Sequence, residues 1–195
     1  MTSTQLALPG ADPSRVSLDT LFFALQPDAE TAQQITGLAS RLRTDCAVRG
    51  RLRPTGVFHV TLHYLGGFVG LPPTLVEDAS RAADTVRMPA FDVELGRART
   101  FLGRPRGIPL VLAGDEGTAG VRLLFDSLGR ALVKAGVRAY GGSDYTPHLT
   151  LMYGDRAIDE RSIGPVRWRA REFVLVRSFF GQGRHEVLAR FPLVT

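Results

Sequence analysis

The sequence predicts an α+β fold of two pseudo-symmetric lobes facing each other, and three observations lead there. The tetrapeptide His59-Val60-Thr61-Leu62 returns as His148-Leu149-Thr150-Leu151, 89 positions later. The same shift lays Leu21 to Leu25 on Leu110 to Gly114, and Ile35 and Ala39 on Leu124 and Leu128. Further on, Arg99-Thr100-Phe101-Leu102-Gly103 is echoed by Arg177-Ser178-Phe179-Phe180-Gly181. Strand, helix, His-bearing strand and Arg-Ser/Thr-Phe strand thus occur twice, as a degenerate internal duplication. Chance similarity between two α+β halves is the alternative.

Taken in order, residues 1–17 carry Pro9-Gly10, Asp12-Pro13 and several Ser and Thr, and read as a flexible tail. Residues 18–195 read as one two-lobed domain. Leu18 to Leu25 is the first strand, with Leu21, Phe23 and Leu25 on one face and Thr20, Phe22 and Ala24 on the other. Pro27-Asp28 opens a helix to about Arg43, whose apolar stripe is Ile35, Leu38, Ala39 and Leu42. A loop bearing Arg49, Arg51 and Arg53 leads into the first His strand, which Gly66-Gly67 and Gly70 end. Pro72-Pro73 begins a second helix to about Val86. Strands follow at Phe91 to Leu102 and Ile108 to Ala113. A third helix spans Ala119 to Ala135, buried through Val121, Leu124, Leu128 and Leu132 and stopped by Gly136. Tyr145-Thr146-Pro147 delivers the second His strand. An irregular stretch is expected around Gly164-Pro165, then closing strands at Glu172 to Phe180 and Glu186 to Leu193.

With 195 residues, 44% hydrophobic and 22% charged, the chain can bury a good core and has the composition of a soluble globular protein. Its net charge is +5, and Lys134 is the only lysine among 24 basic residues. Guanidinium matches phosphate bidentately, so this composition favours anionic partners, although charge alone points only weakly to nucleic acid. Cys46 is the sole cysteine, which excludes an intrachain disulfide and a cysteine metal cluster and fits a reducing cytoplasm. The start of the chain lacks the pattern of a signal peptide, and no run of about 18 apolar residues occurs. A cytoplasmic location without membrane contact is the expectation.

The two His strands carry the chemistry. Side chains alternate across a strand, so His59 and Thr61 share one face while Phe58, Val60 and Leu62 take the other. His148 and Thr150 stand likewise opposite Leu149 and Leu151. Two opposed imidazoles can supply the base and the acid that in-line displacement at phosphorus needs on its two sides, because histidine holds either protonation state near neutrality. Thr61 and Thr150 can donate hydrogen bonds to the nonbridging oxygens. No metal or other cofactor is required. Which imidazole is acid and which is base does not follow from the sequence.

These residues resemble the two-histidine (2H) phosphoesterases, defined by paired His-x-Thr/Ser-x motifs. Within them the chain looks like the LigT-like RNA 2′,3′-cyclic phosphodiesterases, also called 2′-5′ RNA ligases. The resemblance covers most of residues 18–195. It rests on Thr20 to Leu25, Val57 to Gly66, Tyr145 to Leu151, Arg177-Ser178 and Arg190-Phe191-Pro192-Leu193. It implies two lobes, each an antiparallel sheet with helices on its outer face, enclosing a central groove. It also implies metal-independent opening of terminal RNA 2′,3′-cyclic phosphates to 2′-phosphates, with His59 protonating the leaving ribose oxygen and His148 activating water, and possible 2′-5′ ligation. RNA ends or small cyclic nucleotides would be the substrates of a monomeric enzyme.

Similar proteins often carry Arg at the positions of Thr20 and Tyr153. Phosphate-binding arginines are therefore sought elsewhere, at Arg104, Arg106 or Arg156, with Tyr153 itself against the substrate. Phe22 reads either as a base-stacking wall or as plain core. His63 shares the face of His59, which leaves a zinc pair as an alternative. His185, in a Gly-rich turn, is expected to be solvated, and Trp168 to be a packing residue. Two further readings compete: a phosphodiesterase for another small cyclic phosphate or a 2′-5′ oligonucleotide, and a non-catalytic RNA-binding module.

Overall fold

Strand and helix signals become elements where the period of burial matches the period of the backbone. The computed structural model describes residues 18–101, 107–140, 145–179 and 181–194. The strands are β1 (Asp19–Leu25), β2 (Val60–Phe68), β3 (Phe91–Thr100), β4 (Ile108–Ala113), β5 (His148–Gly154), β6 (Arg161–Ala170), β7 (Glu172–Phe179) and β8 (Arg184–Pro192). The helices are α1 (Ala29–Asp45), α2 (Pro73–Ala83) and α3 (Ala119–Lys134). Asp28 caps α1 by accepting the Thr31 backbone N–H at 2.8 Å, which satisfies an amide that has no partner within the helix.

The strands form one antiparallel sheet in the order β6-β3-β4-β5-β2-β1-β7-β8. Its two halves are the two lobes, and they join where Val60 of β2 pairs with Leu149 of β5. The duplication explains the order, with one exchange. Each Arg-Ser/Thr-Phe strand leaves its own repeat: β3 pairs with β4 of the second repeat, and β7 pairs with β1 of the first. Both lobes therefore contain strands from both halves of the chain.

On the helix-covered face, Leu21, Phe23, Leu25, Val60, Leu62, Leu149 and Leu151 enter one core with Ile35, Ala39 and Leu42 of α1 and Leu124, Leu128 and Leu132 of α3. The opposite face carries a small cluster of Phe22, Ala24, Val174 and Val176, with Val187 against it. The stretch expected to be irregular around Gly164-Pro165 is instead strand β6. Pro165 is tolerated because β6 is a sheet edge, and the register with β3 shifts between Leu95 and Arg97, opposite that dipeptide. Val166, Trp168 and Ala170 alternate inward along it, so Trp168 is the packing residue it was expected to be. Among the described residues no helix is long and apolar enough to cross a membrane.

Candidate active site

The two motifs meet where the lobes join. Continuing the antiparallel register from Val60↔Leu149 sets Thr61 opposite His148 and His59 opposite Thr150. Phe58, Val60, Leu62, Leu149 and Leu151 are all buried, so the alternate residues His59, Thr61, His148 and Thr150 lie on the groove face and are half-buried. His148 opens β5, whereas His59 stands one residue before β2, after a turn of 3₁₀ helix at Thr55–Val57.

The backbone holds both rings in the same posture. His59 Nδ1–H donates to the Val57 carbonyl at 2.7 Å, and His148 Nδ1–H donates to the Thr146 carbonyl at 2.8 Å. A carbonyl can only accept, so Nδ1 carries hydrogen in each ring, and Nε2 is the basic nitrogen of the neutral imidazole. Phe22 lies 4.9 Å from the His59 ring, and Phe101 meets the His148 ring edge-on at 4.8 Å.

Thr61 is positioned from behind. The Tyr145 hydroxyl donates to the Thr61 carbonyl at 2.7 Å, and the Tyr145 ring stacks on Phe125 at 4.0 Å. Burial pushes the Tyr145 phenol up, so it remains a protonated donor. The next ring in the stack is His63, 4.1 Å from Phe125. Its Nε2–H donates to the Phe125 carbonyl at 2.8 Å, which ties β2 to α3. Among the described residues no group of three His, Cys, Asp or Glu side chains is placed to hold a metal.

Beside His59 the groove widens into a cavity of about 870 Å³. Phe22, Arg51, Arg53, Tyr153, Ser178 and His185 are among its walls. Of the four motif side chains only His59 lines it, so the cavity runs away from the imidazole pair toward the β7–β8 turn. The arginine loop reaches it by pairing with β5 beyond the Val60↔Leu149 junction: Leu52 bridges Met152, and the Arg53 N–H donates to Leu151 O at 2.8 Å. Gly50 permits the approach, since a Cβ there would stand 2.3 Å from the Tyr153 carbonyl oxygen.

His185 corrects an expectation. It is not a solvated turn residue but the second residue of β8, opposite Ser178, with its ring 5.1 Å from His59 and 5.5 Å from Phe22. Strand alternation carried the signal, because Val187, two residues on, packs on the Phe22 cluster of the same face. Arg53 was likewise not singled out as a site residue. Arg156 is exposed and pairs with Asp155 at 3.8 Å, outside the lining of the cavity. Arg177 is held by buried Asp19 at 2.6 Å. Arg104 and Arg106 lie outside the described residues.

The electrostatics are one-signed. Burial pushes the His59 imidazole down to about 3, although the ring lines the groove and is not sealed from it. The Val57 hydrogen bond opposes this, while charge on His185, Arg53 and His148 adds to it. Burial, then Arg53, pushes His185 down to about 4. At neutral pH the His59 and His185 rings are neutral, chiefly because they are buried, and an incoming anion would oppose that preference.

Comparison with known proteins agrees with this architecture. Residues 26–178 match the model of the 2′-5′ RNA ligase superfamily. The fold superposes on E. coli LigT in its apo form with a TM-score of 0.71 at 25% identity, covering 92% of this chain and 99% of that one. E. coli LigT complexed with 3′-AMP gives a TM-score of 0.74 at 25% identity, covering 91% and 99%. The Thermus thermophilus protein TT0787 shares the fold at 22% identity, with a TM-score of 0.67 over 89% and 97%. No curated protein sequence matches the chain. The duplicated His-x-Thr strands, the curled eight-stranded sheet and the matched family model together make this chain a member of the 2′-5′ RNA ligase superfamily, with the LigT-like 2H phosphoesterase fold.

Proposed function

We propose that the protein is a metal-independent phosphodiesterase that opens the terminal 2′,3′-cyclic phosphate of RNA to a 2′-phosphate. The observation that carries this reading is the matched pair of Nδ1–H bonds, His59 to Val57 and His148 to Thr146. They fix one tautomer in both rings and reserve both Nε2 atoms for proton transfer. His148 Nε2 accepts a proton as water attacks phosphorus, and His59 Nε2–H gives one to the departing 3′ oxygen. One P–O bond forms, one breaks, and no net proton stays on the pair. Phosphate binding supplies the negative charge that lets His59 become the imidazolium its role requires. Thr61 and Thr150 donate to the nonbridging oxygens, while Phe22 and Tyr153 stand against the nucleoside. The same displacement with a 5′-hydroxyl in place of water would open the cyclic phosphate to a 2′-5′ linkage, the 3′ oxygen again leaving with a proton from His59.

A monomeric enzyme in a reducing cytoplasm is the setting assumed. The test is hydrolysis of a 2′,3′-cyclic mononucleotide and of a cyclic-phosphate-ended oligonucleotide in EDTA, with the product resolved as 2′- or 3′-phosphate. Turnover of neither substrate overturns the reading.

A further inference from the structure

The imidazole pair accounts for one phosphorus, yet the charge in the groove is arranged for more than one anion. The cavity beside His59 has a volume of about 870 Å³, far more than a single phosphate fills, and among the described residues no Asp or Glu lines it. It holds instead two guanidinium groups, Arg51 and Arg53, and two imidazoles, His59 and His185. Several arginines elsewhere are paired with carboxylates, among them Arg97 and Arg99 with Glu160, Arg167 with Glu94, Arg169 with Asp92, Arg177 with Asp19 and Arg190 with Glu172. Among the described residues Arg51 and Arg53 have no carboxylate partner. His185 adds a buried Nδ1 with no hydrogen-bond partner. Leaving a buried polar atom unpaired costs free energy, which a ligand at the site recovers.

The position of this cluster matters as much as its sign. The cavity extends from His59 away from His148, so its cations lie to one side of the reacting phosphorus and do not surround it. Phe22 packs against both the His59 and the His185 rings, themselves 5.1 Å apart, and gives this end of the cavity an apolar wall. A nucleoside has this form: a base and sugar between a phosphate at the 2′,3′ edge and another at the 5′ carbon.

We propose that Arg51, Arg53 and His185 form a second phosphate site, which binds the 5′-phosphate of the nucleotide whose 2′,3′ end lies between His59 and His148. This rests on the proposed function for the identity of the reacting end. The 5′-phosphate is either a terminal monoester on a free nucleotide or the phosphodiester linking the last nucleotide to an RNA chain. Arg53 and His185 are then specificity-determining residues, and activity depends on what the ribose carries at its far end.

The test separates this site from the reaction by using product-like ligands that cannot turn over. Calorimetry on the full chain compares adenosine 2′-monophosphate with adenosine 2′,5′-bisphosphate. The 5′-phosphate should tighten binding at least about tenfold in the wild type, because charge-assisted hydrogen bonds to phosphate are among the strong ones. That gain should fall to about twofold or less in Arg53→Gln and in His185→Gln, each shown to be folded by circular dichroism. Equal wild-type affinity for adenosine 2′-monophosphate, the bisphosphate and a dinucleotide ending in a 2′-monophosphate overturns the proposal, as does a gain that survives both substitutions. A dinucleotide ending in a 2′-monophosphate identifies the source: a gain with it and none with the bisphosphate assigns the site to the RNA linkage. Hydrolysis of a cyclic mononucleotide is measured alongside. If it proceeds while the 5′-phosphate adds nothing, this proposal alone fails; if it is absent while the gain is present, the proposed reaction fails and the second site stands.

Discussion

His59, just ahead of β2, and His148, at the start of β5, lie one on each side of the Val60↔Leu149 pair, and each donates Nδ1–H to the carbonyl two residues before it. Matched postures of this kind make the two rings one device. The pH-rate profile should be bell-shaped, with apparent pKa values that belong to the coupled pair. Product-like phosphate should shift the His59 limb upward, because an anion offsets the repulsion from Arg53, His185 and His148. NMR titration of the imidazole resonances with and without adenosine 2′-monophosphate checks this, and an unmoved His59 would count against its role as acid.

The hydroxyl-bearing threonines should matter less than the imidazoles. Thr61→Ala and Thr150→Ala each remove a hydrogen bond to a charged phosphate oxygen and leave proton transfer intact. Rates should fall by about tenfold to a hundredfold, in line with the net worth of a hydrogen bond to a charged group. A loss as large as that of a histidine variant would show that the threonines do more than contact oxygen.

Tyr145→Phe removes the bond to the Thr61 carbonyl but keeps the ring on Phe125. The expected cost is about 1 kcal/mol, or roughly 2–4 °C in Tm for a chain of this size. Turnover should drop more than substrate affinity, since the bond holds the strand that presents Thr61. Thermal melts and a split of kcat against KM check both statements.

Stability should fall on mild acidification. His59, His63 and His185 are all depressed below the ordinary imidazole value by burial. The unfolded chain therefore binds more protons than the folded one between the unfolded value near 6.5 and the folded values. The stabilisation is fully present above about pH 6.5 and is lost as pH falls toward the folded values. The decline begins above the range in which carboxylates titrate. Tm measured from pH 7.5 to 4.5 should decline, and His63→Gln should flatten the slope. A flat wild-type profile contradicts the buried, neutral state of these rings.

Much of this was legible in the sequence because the signals are local. Alternation along Leu21, Phe23 and Leu25, the stripe Leu124-Leu128-Leu132 and the stop at Gly136 each report on one segment, whereas Gly66-Gly67, expected to break β2, lie within it and pair with β1. The repeated His-x-Thr pattern reports on the site. What stayed hidden depends on partners chosen across the sheet. Nothing in β3 or β7 announces that each crosses to the other repeat, and Gly164-Pro165 masks an edge strand whose inward residues, Val166 and Trp168, are few. His185 joined the groove through its pairing opposite Ser178, and Arg53 through a loop that borrows hydrogen bonds from β5. The longer-range the cause, the less a single stretch of sequence revealed it.

The most direct measurement is single-turnover hydrolysis of a cyclic-phosphate-ended oligonucleotide in EDTA by the wild type, His59→Ala, His148→Ala and the double variant. Wild-type activity should be undiminished by the chelator. Each single variant should lose about 10² to 10⁴ in rate, and the double variant should fall far short of the product of the two losses. Loss of wild-type activity on chelation, restored by a divalent ion, or near-normal turnover by either folded single variant, would contradict a reaction run by the two imidazoles alone.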